Sequence, residues 1–254
     1  MSNLADALWL NTSSSLRHFD QQLVNQLSQT MRLAYWEYRQ SPDEPSCMET
    51  AVTLVHDYLK SHNKPIHLIG HSTGGLLALM YANKHPERVK SLTLLSVGVH
   101  PTVDWKAHYY VQFQLMPCSR QVLLEKTVET LFGYQKLATR LRLMSMLDRD
   151  LKESLSVHSL LKRTSLSPIP VSVPLMVCGS EDDVIVDNQE LQGWRSMLKT
   201  GDRVVQVPQG GHFFHHFYPQ LVQDKILNFW SEMEWFSTQG EAKTPICSTL
   251  KGYL

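Results

Sequence analysis

The stretch PIHLIGHSTGGL, residues 65–76, sets a serine among glycines where one apolar run stops and another pattern begins. Gly70, Ser72 and Gly74 fit the spacing G-x-S-x-G. Between a strand and a helix this spacing has a chemical use. A sharp turn forces the central residue into a strained backbone geometry and lifts its hydroxyl above the sheet edge. The residues two before and two after must be small, because strand and helix pack there with no room for side chains. Gly75 lets the helix approach its neighbours closely. A serine held at the positive end of a helix is placed to attack an acyl carbon while a negative oxygen develops beside it. The plainer role for Ser72 is a helix N-cap, which leaves the flanking glycines unexplained.

A serine hydroxyl is a weak nucleophile and needs a base, which in turn needs a third group to orient it. Two stretches downstream carry candidates. VPLMVCGSEDDVIV is an apolar run followed by Gly179 and an acidic turn with Asp182 and Asp183; VPQGGHFFHHFYP ends a second run and continues into Gly210-Gly211-His212. The chain order is therefore Ser, acid, His, with each group at the end of an expected strand. A second need is a pair of donors for the oxyanion, one of them the backbone N–H of Thr73, directly after the serine. His215 and His216 follow His212, and an i, i+4 histidine pair can hold a metal. With no acid or cysteine near them in sequence, no metal is expected. His67, His71, His100 and His108 read as structural, with His108 facing the cleft if the segment around it is a lid.

The elements that must position these groups follow from the hydrophobic pattern. Short apolar runs predict strands at 5–11, 32–38, 65–70, 91–97, 171–178 and 203–207, each bounded by turn or polar residues, as strands buried on both faces should be. Amphipathic segments predict helices at 16–28, 47–61, 73–84, 188–198 and 219–235. In METAVTLVHDYLK, Ala51, Leu54, Val55 and Leu59 recur at helical spacing. The alternation predicts an α/β fold with a mostly parallel sheet of about six strands and helices on both faces. Residues 101–170 break it. They hold only helical patterns rich in Tyr, Phe, Leu and Met, and read either as an insertion closing its own small core or as a cap over an active site. The division is then 1–100 and 171–236 for the core, 101–170 for the cap and 237–254 for a polar tail.

Bulk properties narrow the function. The 254 residues are 43% hydrophobic and 19% charged, with 24 basic residues against 24 acidic ones. That balance carries no electrostatic footprint for nucleic acid or an anionic membrane. The cysteines, Cys47, Cys118, Cys178 and Cys247, form no CxxC pair, so neither zinc spacing nor a disulfide scaffold is implied. MSNLADALWLNTSSS has no secretion-signal pattern. No run approaches the ~20 apolar residues of a spanning helix. A reducing cytoplasm is the expected location. With neither a Walker-type loop nor a dinucleotide glycine motif, no cofactor is expected.

Taken together, GHSTGGLLALMYANKHPERVKSLTLLSVG, GSEDDVIV and GGHFFHHFYPQLVQDKILNFW resemble the nucleophile turn, acid turn and histidine loop of the α/β-hydrolase fold family, over about residues 5–236. The resemblance implies Ser72 as nucleophile, Asp182 as acid and His212 as base. Asp182 is preferred because it lies three residues after Gly179 and two before the apolar pair Val184-Ile185. Asp183 then stands where the family often has Pro. Family members usually carry His-Gly before the second oxyanion donor. Here Asn11 and Thr12 replace that pair, and the N–H of Ser13 becomes the implied donor, with the Asn11 side chain as an alternative. ALWLN also lacks the two edge strands that normally precede it, leaving a sheet edge for the tail or a second copy of the chain to cover. The implied activity is hydrolysis of an ester or related acyl bond in a small apolar substrate. A non-catalytic ligand-binding protein on the same scaffold and an acyltransferase are the alternatives.

Overall fold

The computed structural model describes residues 5–241 other than 40 and 42. Six strands form one all-parallel sheet: β1 (Ala7–Asn11), β2 (Leu33–Glu37), β3 (Ile66–His71), β4 (Val89–Leu95), β5 (Leu175–Ser180) and β6 (Arg203–Val207). Their order is β2-β1-β3-β4-β5-β6. Leu8 of β1 sits opposite Leu68 of β3, which sits opposite Leu92 of β4, and Leu92 opposite Leu175 of β5. Each expected strand is present, with ends displaced by at most four residues and β6 matched at both ends. The segment before β5 starts late because Pro170 and Pro174 cannot donate to a ladder.

Period-two alternation splits the apolar residues between two faces. Leu8 and Leu10 join Leu68, Leu94 and Val177 in one core, whereas Ala7 and Trp9 join Ile69, Leu95 and Met176 in the other. Against the first face lie α2 (Met48–Leu59) and α3 (Ser72–Lys84), through residues such as Val52, Val55, Leu77 and Leu79. Against the second lie α1 (Arg17–Ser28) and α9 (Pro219–Glu241), through Leu23, Leu27, Val222, Ile226 and Phe229. Full burial of each such side chain contributes about 1.5–3 kcal/mol. The last helix runs to Glu241, five residues into the expected tail, since no proline interrupts it before Pro245. Residues 242–254 lie outside the described part.

Between β4 and β5 stand α4 (Trp105–Leu115), α5 (Arg120–Phe132) and α6 (Leu137–Glu153), with no strand among the described residues of this segment. Gly133, at φ +66°, ends α5. These helices do not close a core of their own. Trp105, Tyr109, Leu123, Val128, Leu143 and Leu147 pack together with Leu16, Phe19, Ile185, Val186 and Phe213 from the sheet's upper rim. A charged clamp adds to this. Lys106 Nζ lies 3.1 Å from Asp150 Oδ2, and both side chains are almost wholly buried. Asp150 also accepts from Ser15 at 2.9 Å and from Ser154 at 2.6 Å. The short helices α7 (Asn188–Gly193) and α8 (Phe214–Phe217) complete the described α-helices.

Truncating Asp150 to Ala strands a buried ammonium and two hydroxyls. The expected loss is about 3–5 kcal/mol of unfolding free energy by urea titration, against about 1 kcal/mol for Ser15→Ala.

Candidate active site

Strand β3 passes into α3 without a loop, and Ser72 at the junction has φ +50°. An L-residue tolerates that region poorly, so the packing around it must hold it there. The glycines do so by letting backbones touch. A Cβ on Gly74 would lie 2.4 Å from Leu10 O, and one on Gly70 would lie 2.5 Å from Gly74 O. Strand β1 therefore abuts the first turn of α3 directly. No side chain caps that helix, so its first-turn N–H groups, Thr73's among them, are left to the rim of the sheet.

His212 arrives at the same rim from the other side. It follows Gly210 (φ +121°) and Gly211 (φ +56°), which turn the chain after β6. Its backbone carbonyl accepts from His71 Nε2 at 2.7 Å and from Ser96 Oγ at 2.9 Å, which fixes the loop to β3 and β4. Its ring lies between two groups: Nε2 is 3.1 Å from Ser72 Oγ, and Nδ1 is 3.1 Å from Asp183 Oδ2. A carboxylate requires the ring proton on Nδ1, and Nε2 is then free to accept from the serine. Asp183 is buried, and its other oxygen accepts the N–H of Ile185 at 2.9 Å and of Val186 at 3.2 Å. Burial pushes the Asp183 pKa up, but the adjoining His212 ring and these two N–H groups outweigh it and hold the carboxyl below its ordinary value.

Of the groups singled out in the sequence, Ser72 and His212 come together and Asp182 does not join them. The Asp182 carboxylate turns to the histidine loop's backbone, accepting from Gly211 N at 2.8 Å and Gly210 N at 3.2 Å. The reason lies in the strand end. β5 continues to Ser180, two residues past the expected end, so the turn starts later and the inward-facing acid shifts by one position. Ser13 is also placed differently from expectation. Its N–H donates to Asn11 Oδ1 at 3.1 Å in a local turn, and Asn11 Nδ2 faces Glu37 at 3.4 Å. The Ser13 N–H is thus engaged in this arrangement, whereas the Asn11 amide keeps a second N–H. The Thr73 hydroxyl donates to Asp104 Oδ2 at 3.1 Å; Asp104 is the N-cap of α4, taking Ala107 N at 2.8 Å. His108, also on α4, is lowered by burial and by the charge of His212.

A second polar group sits beside the first. Asp20 of α1 is buried and accepts from Trp9 Nε1 at 3.1 Å and Tyr35 OH at 3.2 Å, while its other oxygen is 3.1 Å from His215 Nε2. Burial pushes Asp20 up to about 6, against the pull of His71, Tyr35 and Trp9, and pushes the His215 ring down to about 3. Sequence pattern gives no sign of this association, because Asp20 is 195 residues from His215 and lies on a helix of ordinary amphipathic spacing. Asp20, His71 and Ser72 line a narrow pocket of about 20 Å³ with Asn11, Ser13, Leu16, Trp105 and Phe213, room for about one water. A larger hollow of about 450 Å³ lies between α4 and residues 158–165, with Val103, Ala107, Val111, His108 and Arg163 in its wall.

Ser72 on the turn after β3, His212 on the loop after β6 and buried Asp183 after β5 stand at the rim of an all-parallel six-stranded sheet with the α/β-hydrolase fold, and the chain belongs to that fold family. The family model described as alpha/beta hydrolase fold matches residues 55–135. An uncharacterized protein of Nostoc sp. is 44% identical over 230 residues, covering 91% of this chain and 92% of its own. Among solved structures, a hydrolase from Pseudomonas aeruginosa is similar at TM-score 0.68 with 16% identity, covering 88% of this chain and 89% of its own. A marine microorganism esterase is similar at TM-score 0.55 with 18% identity, covering 88% and 94%. At these identities the solved structures speak to the fold alone. No helix among the described residues is long and apolar enough to cross a membrane.

Two outcomes follow from the geometry. Gly74→Ala drives a methyl into the Leu10 carbonyl and should cost about 1–3 kcal/mol by urea titration. Asp183 has a lower pKa folded than unfolded, so its ionised form stabilises the fold above about pH 4, and that contribution is lost as pH falls through the folded value. Asp183→Asn should flatten the acid limb of stability against pH; an unchanged limb would contradict the assignment of its partners.

Proposed function

We propose that the chain is a serine hydrolase acting on a carboxylic ester or related acyl bond of a small apolar substrate, with Ser72 as nucleophile, His212 as base and Asp183 as the acid that orients it. The reading is carried by the continuous hydrogen-bonded line from Asp183 through His212 to Ser72, with 3.1 Å at both joints. In the first half-reaction Ser72 Oγ bonds to the acyl carbon while His212 Nε2 takes its proton. The carbonyl oxygen becomes negative and is received by the Thr73 N–H. Collapse expels the alcohol, which takes the proton from His212. In the second half, water attacks the acyl-enzyme, again deprotonated by His212, and the acid leaves with Ser72 restored.

Helices α4–α6 are read as the cap of this site. Trp105 of α4 and Phe213 are among the walls of the pocket at Ser72, whose 20 Å³ is too small for a substrate unless such walls move aside. The 450 Å³ hollow on the other side of α4 does not include Ser72 in its lining; the apolar side chains Val103, Ala107 and Val111 there would favour an aliphatic or aromatic portion over a sugar once α4 moves. One observation favours the alternative of a non-catalytic ligand-binding protein. The Ser13 N–H is held by Asn11, and loss of one oxyanion donor costs about 2.7–4 kcal/mol of transition-state stabilisation.

A fluorophosphonate probe separates the two readings. The native chain should be labelled and Ser72→Ala should not. Asp183→Asn should slow labelling by about 10⁴-fold, whereas Asp182→Asn should retain a measurable rate. Absence of labelling in the native chain would favour the binding protein. An ester series graded by acyl length then defines the substrate, with turnover expected to rise from polar to apolar acyl groups.

A further inference from the structure

The group formed by Asp20, His71 and His215 is beyond the needs of a serine hydrolase. Each of the three brings one ligand atom within 4.8 Å of the other two. Asp20 and His215 are 4% and 0% exposed. A buried carboxylate is normally paired with a cation. Among the described residues the only ion-pair partner of Asp20 within reach is the His215 ring, 3.1 Å away. His215 turns Nε2 to Asp20, and its Nδ1 is buried with no hydrogen-bond partner.

His71 and Asp20 have the surroundings of metal ligands. A ligating histidine usually donates its second ring N–H to a carbonyl or carboxylate, and a ligating carboxylate is itself hydrogen-bonded. His71 donates Nε2–H to the His212 carbonyl at 2.7 Å, which leaves Nδ1 with a lone pair. Asp20 keeps one oxygen occupied by Trp9 and Tyr35 and turns the other to His215. Two imidazole nitrogens and one carboxylate oxygen suit a four-coordinate zinc-type ion with one open position. Bond lengths of about 2.0–2.2 Å place tetrahedral ligands roughly 3.4 Å apart, so the three side chains need to close by little more than an ångström. The pocket lined by Asp20, His71 and Ser72 has room for the fourth ligand, a water.

We propose that Asp20, His71 and His215 form a binding site for one divalent cation of zinc type, whose fourth ligand is a water in the pocket beside Ser72. The ion neutralises the buried carboxylate and, through His71, braces the carbonyl of His212. The proposal stands on the ligand geometry and does not require Ser72 to be a nucleophile.

The test is equilibrium dialysis of the full chain, stripped with a chelator, against Zn²⁺ in the presence of a competing chelator. One Zn²⁺ per chain is expected. Asp20→Asn keeps the side chain's shape and an acceptor for Trp9 and Tyr35, and should weaken binding by more than ~100-fold, beyond what outer ligands contribute. No stoichiometric uptake by the native chain, or uptake unchanged in Asp20→Asn, overturns the site, the second result placing the ion on other histidines. X-ray absorption of the native zinc adduct gives a reading free of any folding defect. Two imidazoles with oxygen ligands support the assignment; three or more imidazoles, or sulfur, refute it.

Discussion

The contact between the Leu10 carbonyl and the α-carbon of Gly74 is the constraint on which the upper rim of the molecule depends. It lets β1 press against the first turn of α3, which in turn permits β3 to enter a helix with no intervening loop. The conformational cost falls on Ser72, held at φ +50°. Packed residues on both sides over-determine that geometry, as strained positions require. The serine hydroxyl is thereby fixed relative to three strands at once, and a histidine arriving from β6 meets it at hydrogen-bond distance.

Two buried carboxylates then tie the helical insertion to this rim. Asp104 caps α4 and takes the hydroxyl of Thr73, the residue that follows the serine. Asp150 on α6, paired with Lys106, takes Ser15 and approaches Ser13 at 3.5 Å. Both segments that flank the Ser72 pocket are thus anchored to the insertion. The insertion shares its apolar core with Leu16, Phe19, Ile185 and Phe213, so movement of α4 exposes apolar surface and is opposed by it. Opening for a ligand and integrity of the rim draw on the same contacts.

Much of this was legible in the sequence, for reasons that are local. The strands showed as short apolar runs because both faces of the sheet are covered, and the turn at Ser72 showed because only glycine tolerates the close approaches around it. What the sequence hid depends on side-chain direction or on distance along the chain. Which of Asp182 and Asp183 faces the His212 ring depends on where β5 stops, and strand ends are weakly encoded when polar residues such as Ser180 continue the ladder. The capture of the Ser13 N–H by Asn11 is a side-chain hydrogen bond that spacing does not announce. Asp20 reads as an ordinary polar residue on α1 until the fold brings it against His215.

The central claim is that Ser72, His212 and Asp183 act as one unit at the rim of the sheet. Its most direct test is a crystal structure of the chain after reaction with an organophosphonate. The account predicts phosphorus bonded to Ser72 Oγ, a phosphoryl oxygen within hydrogen-bond reach of the Thr73 N–H, and Asp183 behind the His212 ring. Phosphorus on another residue, or a ring turned from Ser72 toward Asp182, would contradict it.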